Sequence, residues 1–347
     1  MTLKTEQAKP KIYVAPSANR KNGIPNRYFR ILKEELIPFF DVLEADNAPC
    51  LMQGLALIRN SLRADVCLLS FVETIPFHKL GFIQYLMAIL SLAIMKLRKC
   101  VVMFVFHNPR PHQGENWMTR SLIRKQLAIS EAVISHSKEC ASLAREMLSA
   151  SGKDASSVHY VCHPLYYTSE VAEVEKNDEI LIWGNILPYK GVLEFVSSDA
   201  VRDAGLKVRI VGQCKDADLD LHILQALSIP SATSFIYENR LPDFPELSRL
   251  IPASRWVLFP YLPGSISSSG VLMDTISMGG NPIGPAVGAF LDLEEEGMCA
   301  VYHSEQEMVG LLKSNGNTMS DRRKAFMERN SWHSFADFIS NLYHHAR

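Results

Sequence analysis

Short apolar runs alternate with helical patterns along most of the chain. In the first half, apolar runs of strand length are separated by segments in which apolar residues recur every three or four positions. Such an alternation builds a parallel sheet covered by helices on both faces, so we predict a doubly wound α/β domain. The predicted strands are Lys11–Ala15, Val42–Ala45, Val66–Phe71, Cys100–Phe106, Ala132–Ser135 and Val158–Val161. The predicted helices are Tyr28–Phe40, Leu80–Leu97 and Met118–Leu127.

A polar, charge-rich stretch, Thr168–Asp178, interrupts this pattern and is the best candidate for a linker. A second series of strands follows it, predicted at Ile180–Trp183, Val208–Val211, Ser234–Tyr237, Trp256–Phe259, Pro282–Ile283 and Ala300–Tyr302. The closing segment Asp321–His345 has aromatic residues at helical intervals and is predicted to pack back on the first domain. Because 347 residues are about twice the usual size of one core, we predict domains at 1–167 and 168–320, with a closing helix at 321–347.

The composition narrows the classes of function. The formal net charge is -1 and the pI is about 6.8, so the basic field that draws a protein to nucleic acid is not expected. The cysteines are scattered singly, without a C-x-x-C pair or metal-ligand spacing, which is typical of reduced thiols. The N-terminus lacks the apolar core of a signal peptide. We therefore expect a cytoplasmic protein with no metal cofactor and no nucleic-acid partner.

The longest uncharged stretch, Leu80–Met95, has two interpretations. It is shorter than the roughly 18 to 20 apolar residues that span a bilayer, so a buried helix is the simpler one. The other is a segment that dips into one leaflet of the inner membrane, because basic residues flank it on both sides. Those basic residues are Lys79, Lys96, Arg98 and Lys99. Both interpretations stay open at this point.

The clearest site pattern is GNILPYKG, residues 184–191, directly after the strand ILIW and before a helical run. A glycine-bearing loop that opens a helix presents unpaired N–H groups to an anion, and Lys190 adds a full positive charge. This arrangement suits a diphosphate. The alternative is an ordinary strand-to-helix turn in which Lys190 is solvated.

A second anion-friendly loop precedes the helix that begins near Gly270. Ser267, Ser268 and Ser269 offer hydroxyls and N–H groups for phosphate or sugar oxygens, although simple N-capping would use the same residues. Both loops follow strands of one predicted sheet, and open α/β sheets bind ligands at the carboxyl ends of their strands. We therefore predict that the two loops form one site.

The first half has its own candidates at strand ends. His107, His112 and Glu115 lie on the loop after the most hydrophobic strand, and Glu73 follows the strand before it. Histidine titrates near the working pH, so these side chains suit acceptor binding or proton abstraction from an acceptor hydroxyl. Structural histidines and an exposed loop glutamate are the alternatives. The His-x4-His spacing on a proline-broken loop does not favour a metal site.

Asn26 and Arg27 follow the first strand and open a helix. In that position Arg27 suits contact with an acceptor pyrophosphate. A capping turn with no ligand explains the same residues.

These motifs resemble those of bacterial GT-B glycosyltransferases of exopolysaccharide and capsule assembly, in the glycosyltransferase family 4-like superfamily. The similarity runs from about Ile12 to Trp332. GNILPYKG resembles the G-R-L-x-x-x-K-G donor loop of that superfamily, and VRIVG resembles the strand before its nucleotide-contacting loop. The segment NRLPDFPELSRLIPASRWVLFPY resembles the one that leads to the donor pocket. Retaining members carry a Glu-x7-Glu pair after this segment, and this chain has none.

Three further motifs, SSSGVLMD, FHNPRPH and ADVCLLSFVE, are most similar to those of xanthan β-mannosyltransferase-like enzymes. This resemblance implies inversion and a GDP-mannose donor. It implies that Glu73, His107 and His112 lie in the cleft, where we predict catalytic roles for them, and we predict acceptor contacts at Asn26, Arg27 and Glu115. It implies donor-diphosphate contacts at Gly184, Asn185, Lys190, Ser268, Ser269 and Gly270. It implies nucleotide contacts at Gly212, Tyr237, Arg240 and Asp274.

The resemblance implies a GT-B architecture: two Rossmann-like domains facing a cleft, with a C-terminal helix crossing back. The expected activity moves a hexose from a nucleotide-diphosphate donor to a lipid-linked oligosaccharide, without a metal, in surface polysaccharide biosynthesis. Because this acceptor is lipid-linked, we expect the protein to make peripheral contact with the cytoplasmic face of the inner membrane. Two alternatives remain: a retaining family 4-type enzyme that uses another donor, and a non-catalytic nucleotide-sugar-binding scaffold of the same fold.

Overall fold

The computed structural model describes residues 8–15, 27–43, 52–107, 116–166, 174–262, 269–315 and 320–347. The described chain forms two compact units. The first contains Met1–Cys162 and Trp332–Arg347, and the second contains His163–Ser331. Each unit is built on one six-stranded parallel sheet with helices packed on it.

The first sheet has the strand order β2-β1-β3-β4-β5-β6. Its strands are β1 (Lys11–Ala15), β2 (Asp41–Val42), β3 (Val66–Ser70), β4 (Val101–Val105), β5 (Ala132–Ser135) and β6 (Val158–Tyr160). Its helices are α1 (Arg27–Leu36), α2 (Gln53–Ser61), α3 (Gly81–Leu97), α4 (Trp117–Ile129) and α5 (Lys138–Ala150). β3 and β4 are buried along their whole length, as expected for central strands that are covered on both faces.

The second sheet has the order β12-β11-β10-β7-β8-β9. Its strands are β7 (Glu179–Trp183), β8 (Lys207–Val211), β9 (Ser234–Glu238), β10 (Trp256–Leu258), β11 (Pro282–Pro285) and β12 (Ala300–Tyr302). Its helices are α6 (Val192–Ser197), α7 (Asp199–Arg202), α8 (Ala217–Leu227), α9 (Phe244–Ala253), α10 (Gly270–Ser277), α11 (Ala289–Glu295), α12 (Glu305–Lys313) and α13 (Ser320–Arg329). The chain moves from β7 to β8 and β9 on one side and then to β10 on the other.

That reversal makes the space between β7 and β10 the switch point of the second sheet. Doubly wound sheets leave a crevice at such a point, because the loops after the two strands diverge to opposite faces. The loop after β7 is residues 184–191, and the loop after β10 leads to α10. The topology therefore places the loop 184–191 next to the end of β10 and the start of α10, whereas residues 263–268 of the second predicted loop lie outside the described residues.

The predicted α/β fold with two parallel sheets is confirmed, and each predicted strand is found. Most strand ends agree within two residues. The described part of the second strand is Asp41–Val42, and residues 44–45 lie outside the described residues. Helix α1 ends at Leu36 rather than at Phe40, because Pro38 has no N–H to donate to a further turn.

The C-terminal segment differs from the predicted single helix. It forms two helices, α13 and α14 (Trp332–His345), with a break at Asn330 and Ser331. Leu165 donates its N–H to the Asn330 carbonyl and forms a parallel bridge with Ser331, so this backbone pairs outside the helix. The units accordingly divide at His163 and at Trp332, whereas the sequence prediction divided the chain at 168 and 321. Helix α14 belongs to the first unit and packs on α1.

Helix α3 buries Tyr85, Leu92 and Met95 together with small and polar residues, and it exposes five other large apolar residues. Its inward face carries Gln84, Ala88 and Ser91, and the Gln84 side chain accepts from the Gly54 N–H and donates to the Lys79 carbonyl. The exposed side chains are Phe82, Ile83, Leu86, Leu90 and Leu97, each about half exposed or more. Within the described ranges, no helix is both long enough and apolar enough to cross a bilayer.

Candidate functional site

Three glycines shape the switch-point loop of the second unit. Gly191 has φ +65 after the 3₁₀ turn Pro188–Lys190, and a Cβ added there would overlap the Pro260 carbonyl oxygen at the end of β10. Gly184 has φ +98, and a Cβ on Gly212 would overlap its carbonyl oxygen. The backbone at the ends of β7, β8 and β10 is therefore packed more closely than side chains permit.

Lys190 is held inside this loop. Only 7% of the residue is exposed, and its Nζ lies 3.6 Å from the position that a Gly184 Cβ would occupy. Its Nζ also lies 5.6 Å from the centroid of the Tyr261 ring, within range of a cation–π contact. Loss of water around the ammonium lowers the pKa of Lys190 to about 8. The predicted alternative of a solvated lysine does not hold.

The Lys190 ammonium has no hydrogen-bond acceptor and no carboxylate partner among the described residues. A buried cation is costly unless an opposite charge compensates it. This cation lies at the carboxyl edge of the sheet, beside close-packed glycines, where open α/β sheets commonly bind ligands.

Helix α10 begins beside the same loop. Both methyl groups of Val271 lie 3.5 Å from the position that a Cβ on Gly184 would occupy. Trp183, the last residue of β7, donates its indole N–H to Thr275 Oγ1 at 2.9 Å and so fixes α10 against β7. Ser269 is the N-cap residue, but its side chain makes no capping hydrogen bond, and its Oγ lies 3.5 Å from the Tyr261 hydroxyl. The first N–H groups of α10 therefore lack a side-chain cap from Ser269.

His163 joins this site although the sequence did not single it out. Its Nε2 lies 3.9 Å from the position of a Gly270 Cβ, at the start of α10. Its Nδ1 donates to the Pro164 carbonyl at 2.9 Å. Burial lowers the pKa of His163 to about 4, so the ring is neutral at physiological pH. The sequence could have indicated His163, because this residue follows a predicted strand just as the other candidates do.

Of the four predicted nucleotide contacts, two lie near the Lys190 loop and two lie at the edge of the sheet. Gly212 contacts Gly184 directly, and Asp274 lies on α10 one turn after Gly270. Tyr237 and Arg240 lie instead at the end of edge strand β9, about 10 Å away from β7 because strands are spaced by about 4.8 Å. The Tyr237 hydroxyl donates to Asp220. The structure does not bring these two side chains to Lys190, and their nucleotide role stays a prediction.

Arg240 is held by two carboxylates. It donates to Glu238 at 2.6 Å and also pairs with Glu246. Such an ion pair leaves the guanidinium less available to a ligand than the Lys190 ammonium is.

In the first unit, polar side chains meet at the carboxyl ends of β3, β4 and β5. His107 Nε2 lies 2.7 Å from Ser70 Oγ, and the ring stacks on Phe71 with centroids 4.2 Å apart and planes at 4°. Phe71 itself has φ +58, an unusual conformation for a residue that is not glycine. His107 is therefore a buried, oriented histidine at the sheet edge where it was predicted.

His136 lies next to His107, with ring centroids 5.4 Å apart, and was missed by the sequence analysis. Its Nδ1 donates to the Val161 carbonyl at 2.9 Å, so its Nε2 accepts the hydroxyl proton of Tyr28, also at 2.9 Å. This arrangement fixes a neutral tautomer. The signal for His136 was its position directly after the strand Ala132–Ser135.

Glu73 lies elsewhere in the first unit. It is 8% exposed, in a 3₁₀ helix after β3, and it hydrogen-bonds to Gln126 on α4. Its Oε2 is buried without a hydrogen-bond partner in the structure. Burial raises the pKa of Glu73 to about 7. The described contacts do not join Glu73 to His107, and the exposed-loop alternative does not hold.

The remaining predictions concern the loops. Arg27 is exposed at the start of α1, and Asn185 follows Gly184 in the switch-point loop. Five predicted residues lie outside the described residues: Asn26, His112, Glu115, Ser267 and Ser268. In the described ranges, no group of three or more His, Cys, Asp or Glu is arranged to hold a metal ion.

Solved structures similar to the chain are glycosyltransferases. The Anabaena protein Alr3699/HepE in complex with UDP-glucose is 13% identical, with a TM-score of 0.64 over 95% of this chain and 98% of that chain. AviGT4, a glycosyltransferase involved in avilamycin A biosynthesis, is 13% identical, with a TM-score of 0.60 over 96% and 97%. The apo lipopolysaccharide outer core galactosyltransferase WaaB is 11% identical, with a TM-score of 0.64 over 96% and 98%.

The chain has the GT-B fold. The similarity covers nearly the full length of each structure, and it includes both six-stranded parallel sheets. No protein-family model matches the sequence, and no curated protein sequence matches it. The expected two-Rossmann-domain GT-B architecture is therefore confirmed by structure rather than by sequence.

The close approach at Gly191 gives a matched pair of substitutions. Gly191→Ala should lower the free energy of unfolding by roughly 3 kcal/mol or more, because positive φ costs about 1 to 2 kcal/mol and the new Cβ also displaces the Pro260 carbonyl. Gly205→Ala is the control, since Gly205 has φ +68 with open space around it. This variant should lose only the unfolding free energy that the positive φ costs. Equal losses in urea unfolding would contradict the packing described for this loop.

The buried carboxyl of Glu73 predicts a pH-dependent stability. Its folded-state pKa is about 7 against an ordinary value of 4.5, so the protonated form favours folding and this contribution is lost as the pH rises toward 7. Relative to Glu73→Gln, the wild type should lose about 2.5 kcal/mol of unfolding free energy between pH 5 and pH 8. Denaturant titrations at the two pH values measure this change. A difference that does not vary with pH would refute a buried, protonatable Glu73.

Proposed function

We propose that the protein is a glycosyltransferase that transfers a hexose from a nucleotide-diphosphate sugar to a lipid-linked oligosaccharide in surface polysaccharide biosynthesis. The observation that carries this proposal is the buried Lys190 ammonium, which lacks a described counter-charge at the switch point of the second sheet. The comparison structures support it, because HepE was solved with UDP and with UDP-glucose.

The second unit binds the donor in this proposal. The diphosphate lies against Lys190, the glycine-lined loop 184–191 and the N-terminus of α10. A departing nucleoside diphosphate gains negative charge as the bond to the sugar breaks. A fixed cation and fixed N–H dipoles in a desolvated site stabilise that charge more than water does. The chain's own residues thereby supply leaving-group stabilisation.

The first unit supplies the acceptor side. Either His107 or Glu73 accepts the proton of the attacking hydroxyl as the new glycosidic bond forms. Their environments differ. His107 forms a hydrogen bond with Ser70, whereas burial raises the pKa of Glu73 to about 7. Catalytic pKa values near the working pH are the most effective for general base catalysis, which favours Glu73. His107→Ala and Glu73→Gln, assayed for sugar transfer across pH, separate the two roles.

The donor identity and the stereochemistry belong to the same proposal. The motif resemblance favours GDP-mannose and inversion, whereas HepE was solved with UDP-glucose. Product release assays with each donor decide the sugar, and the anomeric configuration of the product by NMR decides between inversion and retention. The absence of a Glu-x7-Glu pair after residue 261, where retaining members carry it, supports inversion.

The lowered pKa of Lys190 makes donor binding depend on pH. A bound diphosphate requires the charged ammonium, so affinity for the matching nucleoside diphosphate should fall about tenfold between pH 7 and pH 9, as a pKa of about 8 is passed. Lys190→Arg should show no such fall, because arginine stays charged. Lys190→Ala should bind roughly 10- to 100-fold more weakly at pH 7. Calorimetric titration measures all three, and equal affinities of wild type and Lys190→Ala would reject the site.

Helix α3 is the surface that we assign to the membrane. Its exposed apolar side chains continue onto α4, where Trp117 lies with its ring 6.5 Å from that of Phe82. Exposed Lys79, Lys96 and Lys99 flank the apolar face and match the charge of an anionic leaflet. An apolar face bordered by lysines is typical of interfacial helices, and a lipid-linked acceptor is presented at such an interface.

A triple substitution tests this assignment. Phe82→Ser with Leu86→Ser and Leu90→Ser should leave the fold intact, because all three are exposed, and should lower binding to phosphatidylglycerol vesicles at least tenfold. The matched control changes Leu221, Leu224 and Ile229 to Ser, residues of similar exposure on and after α8 in the second unit. Vesicle sedimentation measures both variants. Equal retention of binding would contradict a membrane role for α3.

A further inference from the structure

A pair of cations, Lys176 and Arg323, lies at the edge of the second sheet opposite Lys190. Lys176 precedes β7, and residues 279–281 connect α10 to β11, so both lie at the amino ends of strands. The five residues of β7 separate this edge from the Lys190 loop by roughly 16 Å. The cluster is therefore distinct from the proposed donor site.

Arg323, on α13, is the central member of this cluster. It is 9% exposed, and its Nη2 donates to the Gly280 carbonyl at 2.9 Å and to Asn281 Oδ1 at 3.3 Å. Its Nε is buried without a hydrogen-bond partner in the structure. A buried guanidinium N–H with no acceptor is uncommon, because arginine carries a fixed fork of donors that usually pairs with oxygen atoms.

Lys176 is the second cation. Its Nζ donates to the Gly279 carbonyl at 3.4 Å, and burial together with the nearby charge of Arg323 lowers its pKa to about 8. No carboxylate among the described residues pairs with Lys176 or Arg323. Of the described acidic residues next to Lys176 in sequence, Glu175 is exposed and forms no salt bridge with either cation, and Asp178 pairs with Arg255. Two cations thus repel each other in a partly desolvated place.

The carbonyl groups after α10 explain only part of this arrangement. The C-terminus of a helix carries about half an elementary negative charge, which attracts one cation. Two full positive charges exceed it, and the Arg323 Nε remains without an acceptor. An oxyanion would accept from that Nε and would also neutralise Lys176.

We infer that Lys176 and Arg323 form a binding site for a small phosphate-class oxyanion, either inorganic phosphate or a phosphate monoester. The guanidinium fork and the ammonium match the geometry and charge of a tetrahedral oxyanion. The bound anion joins α13 to the C-terminal end of α10, whose N-terminal end lies beside Lys190. The site is independent of the proposed glycosyltransferase activity, since no donor residue takes part in it.

The test uses thermal unfolding of the full-length protein with inorganic phosphate at constant ionic strength set by potassium chloride. Wild type should show a saturable rise in Tm of about 2 °C or more. Lys176→Gln should weaken the apparent affinity at least tenfold, and Arg323→Lys should do the same because it loses the fork while it keeps the charge. Arg329→Gln, on the same helix but exposed and paired with Glu296, is the matched control and should behave like wild type.

The donor-site variant Lys190→Ala distinguishes the two sites and should keep the full phosphate response. No saturable rise in wild type would overturn the inference. So would a rise that Lys190→Ala abolishes and Lys176→Gln retains, because phosphate would then bind at the donor loop. A parallel titration with a hexose 6-phosphate identifies the source. Tighter binding than phosphate assigns the site to a phosphorylated sugar, and equal binding assigns it to free phosphate.

Discussion

The desolvated ammonium of Lys190 depends on backbone packing that only glycine permits. Gly191 lets the loop turn onto the end of β10, and Gly212 lets β8 approach the Gly184 carbonyl. Those contacts remove water from the lysine and leave it near Tyr261 rather than near a carboxylate. An electrostatic site in which the charge is fixed before the ligand arrives needs no reorganisation during reaction, which is the condition for strong transition-state stabilisation.

The carboxyl edge of the first sheet is organised differently. It contains neutral partners: Ser70 for His107, and Tyr28 together with the Val161 carbonyl for His136. Aromatic rings cover these groups, including Phe71 stacked on His107. The second unit thus holds a buried cation at its carboxyl edge, and the first holds two histidines that are oriented by hydrogen bonds. That division fits a reaction in which a diphosphate departs from one substrate and a hydroxyl of the other loses a proton.

Much of this could be predicted from the sequence, because hydrophobic burial fixes strands through local patterns. Central strands such as Val66–Ser70 and Val101–Val105 are apolar throughout, and the loops that follow them are necessarily at the carboxyl edge. That logic located Lys190 and His107. It did not reveal that α3 leaves five of its large apolar residues exposed, since hydropathy gives the composition of a helix and not the choice of its buried face.

Other features depend on contacts between distant segments. His136 meets Tyr28 across 108 positions of sequence, and Leu165 bridges Ser331, which splits the predicted C-terminal helix. The hydrogen bond from the Tyr237 hydroxyl to Asp220 on α8 likewise joins two separate segments of the chain. Side-chain pairing of this kind is a tertiary property, so spacing along the chain does not contain it.

Differential scanning fluorimetry with a panel of UDP-, GDP-, ADP-, CMP- and dTDP-linked sugars tests the central claim most directly. A ligand at 100 times its dissociation constant stabilises the native state by about 2.7 kcal/mol, which is readily detected. We predict a clear rise in Tm with one nucleotide class and the loss of that rise in Lys190→Ala. No rise with any donor, or an equal rise in the variant, would contradict a diphosphate site at the switch-point loop.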